Sequence, residues 1–86
     1  MPTILEIAGW RLFFYSNESN EPMHIHARKG GAECKFWIDT GNYNISEAHA
    51  YGLKARDKRE IRKIIFDHFE YIAQRWEGMH GGRQDE

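Results

Sequence analysis

At 86 residues the chain allows one small domain with a limited core, and its three Trp, four Tyr and five Phe give that core large pieces to bury. A formal net charge of −1 supplies no global field for nucleic acid or a membrane, and the single cysteine, Cys34, rules out an intrachain disulfide and suits a reducing compartment. No apolar run approaches the roughly 20 residues that span a bilayer, and no basic leader followed by an apolar block marks a signal peptide, so a cytoplasmic protein with no membrane partner is expected.

Thr3 to Tyr15 is rich in β-formers and is interrupted once, at Ala8-Gly9. A two-residue hairpin turn there pairs Ile7 with Trp10, Glu6 with Arg11 and Leu5 with Leu12. The Glu6–Arg11 pair brings opposite charges across the ladder, worth roughly 0.2–1 kcal/mol. Apolar groups lie on both faces of this hairpin, which places it centrally in a sheet or under a helix. Ser16 to Glu21 reads as a polar loop ended by Pro22.

The next segment, Pro22 to Trp37, carries a second two-residue turn at Gly30-Gly31. The register then follows: Lys29 faces Ala32, Arg28 faces Glu33, Ala27 faces Cys34, His26 faces Lys35, Ile25 faces Phe36 and His24 faces Trp37. Side chains alternate along a strand. One face therefore carries Ile25, Ala27, Cys34 and Phe36, a core pattern that makes Cys34 a small buried hydrophobe. The other carries His24, His26, Arg28, Glu33, Lys35 and Trp37, which gathers several kinds of acid–base group on one rigid ribbon.

Asp39 to Asn42 contains Gly41 and reads as a turn. Tyr43 to Ile45 suits a short fifth strand, and Ser46 to Lys54 is ambiguous, open to a short helical turn that Gly52 interrupts. Ala55 to Glu77 is the clearest element. Ile61, Ile64, Ile65, Phe69, Ile72 and Trp76 recur at helical spacing and define one apolar stripe. Gly78, Gly81 and Gly82 signal the stop. A single α+β domain over residues 1–78 is expected: two consecutive β-hairpins in an antiparallel sheet of 4–5 strands, covered by one long C-terminal helix, with a disordered tail over 79–86.

The start of that helix is basic. Lys54, Arg56, Lys58, Arg59, Arg62 and Lys63 outnumber Asp57 and Glu60, and cations oppose the helix dipole at this end. A solvated amphipathic face explains such a run; so does an acidic or phosphate partner, met by Lys58, Arg59, Arg62 and Lys63.

Several readings fit the His-x-His ribbon. Two imidazoles on one face can ligate zinc, but a site needs three or four ligands, and Arg28 and Lys35 repel a cation. His49, His68 and His80 are scattered, so no metal or other cofactor is expected. Cleavage of RNA through its 2′-hydroxyl needs a base, an acid and cations for the developing charge. His24 or His26 can serve as base or acid, Lys35 and Arg28 can hold the phosphate, and Trp37 can stack on a base. Tyr15 is a further acid candidate, and Glu33 completes the set. The same residues also suit a binding surface without chemistry. The plainest account makes Arg28–Glu33 a cross-strand ion pair, His26–Lys35 an exposed polar pair and Trp37 the lid of the core.

The combination Met1-Pro2-Thr3-Ile4-Leu5, Gly9, Arg11, Phe13 to Glu18, Pro22-x-His24-Ile25-His26 and Glu33-Cys34-Lys35-Phe36-Trp37 resembles a small bacterial family catalogued as a domain of unknown function, number 4160. The likeness continues through Gly52-Leu53 and the helix to Trp76. The resemblance implies a toxin–antitoxin context, in which members of this type take the toxin role and a cognate small antitoxin protein is the partner. It also implies a polar signature of Arg11, Tyr15, Asn17, Pro22, His24, His26, Glu33, Lys35 and Trp37, which adds Arg11 to the phosphate-binding candidates. Two positions depart from the family pattern. Lys54 stands where a helix-start serine is common, and Cys34 where alanine is frequent. The expected function is a toxin-type component of a bacterial type II toxin–antitoxin pair that cleaves RNA without metal, or binds it. The alternative is a non-catalytic module that binds protein, RNA or DNA.

Overall fold

The computed structural model describes residues 3–15 and 20–81. Asn17, most of the polar loop between the hairpins and the chain beyond residue 81 lie outside the described residues. The architecture is α+β. Strands β1 (Thr3–Ile7), β2 (Trp10–Phe13), β3 (His24–Lys29), β4 (Ala32–Asp39) and β5 (Asn44–Tyr51) form one antiparallel sheet in sequential order. Two helices follow, α1 (Ala55–Asp67) and α2 (Phe69–Trp76), and a π-helical turn over Glu77–Gly81 ends the described chain.

Turn chemistry sets both hairpin registers. Ala8 and Gly9 both take positive φ, 54° and 84°, as a turn matched to the strand twist requires. The ladder from that turn pairs Ile7 with Trp10, Glu6 with Arg11 and Leu5 with Leu12, then shifts between Thr3 and Leu5. Gly30 at φ 58° turns the second hairpin, and β3–β4 pairs in the expected register from Lys29↔Ala32 to His24↔Trp37.

The fifth strand is longer than expected. It runs over Asn44–Tyr51, so Ser46 to Tyr51, ambiguous by sequence, are extended. Its sequence is poor in strong β-formers, and pairing with β4 along its whole length outweighs local propensity. A register shift between Lys35 and Phe36, which skips Ala48, bends this ladder.

One sheet face carries Leu12, Ile25, Ala27, Cys34, Phe36, Ile38 and Ile45, and the helices close over it with Ile61, Ile64, Ile65, Phe69, Ile72 and Trp76. Ile61, Ile65 and Ile72 are fully buried. Truncating one of them to alanine removes about 2–5 kcal/mol, the transfer term plus the cavity term. The apolar stripe is continuous, but the helix is not. His68 leaves helical geometry at φ −119° and ψ 26°, its N–H turns back to the Ile64 and Ile65 carbonyls, and its ring Nδ1 donates to Ile64 O at 2.9 Å. The expected single helix is therefore two segments. At the start of α1 the cap comes from Asp57, whose carboxylate accepts from the Lys54 N–H at 3.0 Å. Among the described residues no helix is long and apolar enough to cross a membrane.

Candidate functional site

The side of the sheet away from the helices is the candidate site. Strand parity brings Arg11 and Phe13 of β2 onto the same face as His26 and Arg28, because Arg11 pairs with Arg28 and Phe13 with His26. Glu33, Lys35 and Trp37 of β4 join them, and β5 adds His49 opposite Lys35 and Tyr51 opposite Glu33. Of the residues expected at the site, Tyr15, Arg11, His24, His26, Arg28, Glu33, Lys35 and Trp37 thus lie together.

This face has its own aromatic layer. The Phe13 and His26 rings stack at 5.4 Å, Tyr15 meets His26 edge-on at 4.7 Å, and His24 stands perpendicular to His26 at 5.1 Å. Trp37 and Trp76 flank His24 at 5.5 and 4.8 Å. Both histidines are buried, His24 at 0% exposure and His26 at 4%. The His26–Lys35 pair is accordingly not an exposed polar pair. The carbonyl of Pro22 lies 2.8 Å from His24 Nδ1, and a carbonyl can only accept, so Nδ1 carries a proton and donates it. That bond and three neighbouring rings lock the His24 imidazole.

The cations form an outer layer over these rings. The Arg11 guanidinium lies 4.8 Å from the Phe13 centroid and that of Arg28 lies 5.7 Å from it, while Lys35 Nζ sits 4.4 Å from the Trp37 ring. Such contacts are worth about 0.5–1 kcal/mol where exposed. Each cation is also held by a polar neighbour. Arg11 Nε donates to Thr3 Oγ1 at 2.8 Å, Arg28 pairs with Glu33 at 3.2 Å, and Lys35 pairs with Glu21 at 2.9 Å. The Glu21 carboxylate also lies 3.8 Å from His24 Nδ1. Arg28 keeps 41% of its side-chain surface exposed and Lys35 only 12%. The arrangement offers fixed guanidinium and ammonium groups beside aromatic rings, the set that contacts phosphates and unpaired bases. Among the described residues no three His, Cys, Asp or Glu side chains gather as a metal-ligating group.

The basic start of α1 lies elsewhere. Lys58 reaches Glu47 at 3.4 Å and Lys63 bonds Asp67 at 2.9 Å, while Arg59 and Arg62 are exposed. All four sit on the helix that covers the opposite side of the sheet from His26 and Arg28. The two groups of basic candidates are separate surfaces.

Phe13, Glu21, His49 and Trp76 are members of the site neighbourhood that local sequence patterns did not single out. Parity along β2 would have selected Phe13, because Arg11, Phe13 and Tyr15 alternate. Trp76 reads as one more core position of an apolar stripe, and only the path of α2 brings it to His24.

Comparison with protein families finds that the model of a family described as Domain of unknown function (DUF4160) matches residues 9–77. No curated protein and no solved structure matches the chain.

Proposed function

The chain belongs to the DUF4160 family of domains of unknown function, and we propose that it binds single-stranded RNA across the open sheet face, as the toxin-type component of a bacterial type II toxin–antitoxin pair acting in the cytoplasm. One observation carries the binding part: Arg11, Arg28 and Lys35 lie over aromatic rings on the sheet face opposite the helices. Phosphates contact the cations, and bases stack on the exposed ring of Tyr51 and on the accessible part of Trp37. Base–aromatic stacking is sequence-tolerant and worth about 1–3 kcal/mol per base. The carboxylate that now holds Arg28 belongs to a partly exposed pair worth at most about 1 kcal/mol, so a phosphate can replace it. The toxin role rests on the family resemblance.

Binding is favoured over cleavage because a catalytic imidazole must reach the proton it transfers. His24 is buried and its Nδ1 is committed to the Pro22 carbonyl. His26, between Tyr15 and Phe13, is the better of the two for chemistry, with Lys35 directly across the ladder.

The test uses a fluorescein-labelled oligouridylate and the full-length protein, scored by anisotropy across a salt series, together with growth after induction. Three phosphate contacts predict a log–log salt slope of about −2, and folded Arg11→Ala and Arg28→Ala variants should each reduce its magnitude by about 0.7. Both variants should also relieve growth arrest. Salt-independent retention, or arrest unchanged in both folded variants, would defeat the proposal. RNA cleaved by the wild type and left intact by folded His26→Gln would replace binding with catalysis.

A further inference from the structure

The two edges of the sheet differ. At the β1 edge the Tyr71 hydroxyl donates to the Ile4 carbonyl at 2.9 Å, so the helical layer reaches over and occupies a backbone acceptor there. The β5 edge is eight residues long, and among the described residues β4 is its only strand neighbour. Two largely exposed aromatics bracket it, Tyr43 at 58% and Tyr51 at 65%. An unpaired strand edge presents a row of N–H and C=O groups that another extended segment can complete.

What lies beside that edge selects the segment. Helix α1 runs alongside β5, because Lys58 contacts Glu47 and, two helical turns on, Phe66 packs against the Tyr43 ring. Lys58 therefore stands on the flank of α1 that faces β5, and one turn on the Arg62 guanidinium lies 6.0 Å from the centroid of the Phe36 ring, the cross-strand partner of Glu47. Glu60, on the other flank, instead contacts Trp10 and Lys29. Residues four apart on a helix rise by roughly 6 Å, and alternate residues on a strand advance by roughly 6.6–6.8 Å. Two successive same-face side chains of an added strand match the Lys58–Arg62 spacing. Glu47 is the only acid on β5 itself and already approaches Lys58.

We infer that β5 and the Lys58–Arg62 flank of α1 form a docking edge for an extended acidic segment of a partner protein, which adds as a sixth strand with alternate carboxylates on the helix side. The register shift at Ala48 divides the edge, and the pairing falls on its straight part, from Asn44 to Glu47. Backbone hydrogen bonds hold the segment, and the two cations choose its charge pattern. This surface meets the RNA-binding face proposed above only at Tyr51, and the pairing on Asn44 to Glu47 stands without it.

The probe is a fluorescein-labelled Thr-Glu-Val-Glu-Thr-Glu-Val peptide, with its Glu→Lys counterpart and a counterpart N-methylated at alternate residues. Anisotropy and amide hydrogen exchange are measured on the full-length protein. The acidic peptide should bind and slow exchange in residues 44–47, and neither counterpart should do so. Reversal of both cations, Lys58→Glu with Arg62→Glu, should weaken binding by about tenfold or more. Both positions are surface sites, so folding is checked by circular dichroism. No binding, binding without protection of 44–47, or an affinity unchanged in the folded charge-reversed variant would overturn the inference. Displacement of the peptide by oligouridylate would assign this edge to nucleic acid and overturn it as well. Arg28→Ala should weaken RNA binding and leave peptide binding intact, and peptide binding lost in that folded variant would overturn the inference too.

Discussion

The indole Nε1 of Trp10 donates to Glu60 Oε1 at 3.1 Å, joining the first hairpin to α1 across fifty positions of sequence. Lys29 Nζ shares that oxygen at 3.2 Å, so one carboxylate ties β2, β3 and α1 together.

That bond predicts a pH dependence. The Trp10 hydrogen bond, and after it the Lys29 hydrogen bond, hold the Glu60 carboxyl below its ordinary value of 4.5. A carboxyl whose folded pKa is depressed contributes stability that is present above its unfolded value and is lost as pH falls through the folded value. Wild type should therefore lose stability below about pH 4.5 more steeply than Glu60→Gln, whose amide oxygen can still accept from Trp10. Urea unfolding followed by tryptophan fluorescence at a series of acid pH values checks this. Equal slopes would remove Glu60 from the acid response.

The first hairpin turn holds a correctable strain. Ala8 has φ 54°, a left-handed conformation that costs an ordinary L-residue roughly 1–2 kcal/mol and that asparagine adopts more readily. Ala8→Asn creates the Asn-Gly sequence favoured in such turns and should raise stability by about 0.5–1 kcal/mol. Thermal or urea denaturation reads the change.

His24 should behave as a structural residue. Its substitution by Ala removes a fully buried ring packed on Trp37 and Trp76 and deletes the donor to Pro22 O. A loss of about 3 kcal/mol is expected. Stability measured before any activity assay separates this effect from a functional one, and a His24→Ala protein as stable as wild type would contradict the packing account.

Burial, followed by the nearby carboxylates of Glu47 and Glu33, pushes the Cys34 thiol up to about 12. A neutral buried thiol is a poor nucleophile. Native protein at pH 8 should react with a disulfide reagent only through unfolding, and rapidly in denaturant. Because the folded pKa lies above the ordinary value of 9.0, this group's contribution is complete below pH 9 and is lost as pH rises towards 12. Rapid native-state labelling at pH 8 would place Cys34 outside the core.

Short-range chemistry made much of the fold readable. Gly30-Gly31 and Ala8-Gly9 each specify a turn, and a turn of known length dictates every cross-strand pair that follows it. The α1 stripe of Ile61, Ile64 and Ile65 is equally local, since its period belongs to the helix itself. Other features depend on distant partners. Asn44 to Tyr51 becomes a strand by pairing with β4. The break at His68 leaves the apolar period intact, and there the ring nitrogen and the backbone N–H both turn back to the Ile64 carbonyl.

The same division runs through the candidate site. By itself the sequence determined that His24, His26, Arg28, Glu33, Lys35 and Trp37 share a face, because side-chain parity is a property of the strand and register a property of the turn. Only the tertiary structure decided what that shared face contains. Phe13 arrives from β2, Tyr15 from the chain just after it and Trp76 from α2, and together they bury both histidines while leaving Arg11 and Arg28 as an outer cationic layer. It also separated the basic start of α1 from this face, because the apolar stripe must close over the opposite side of the sheet. Burial of this polar face depends on residues far apart in the chain, which the alternation within β3 and β4 does not encode.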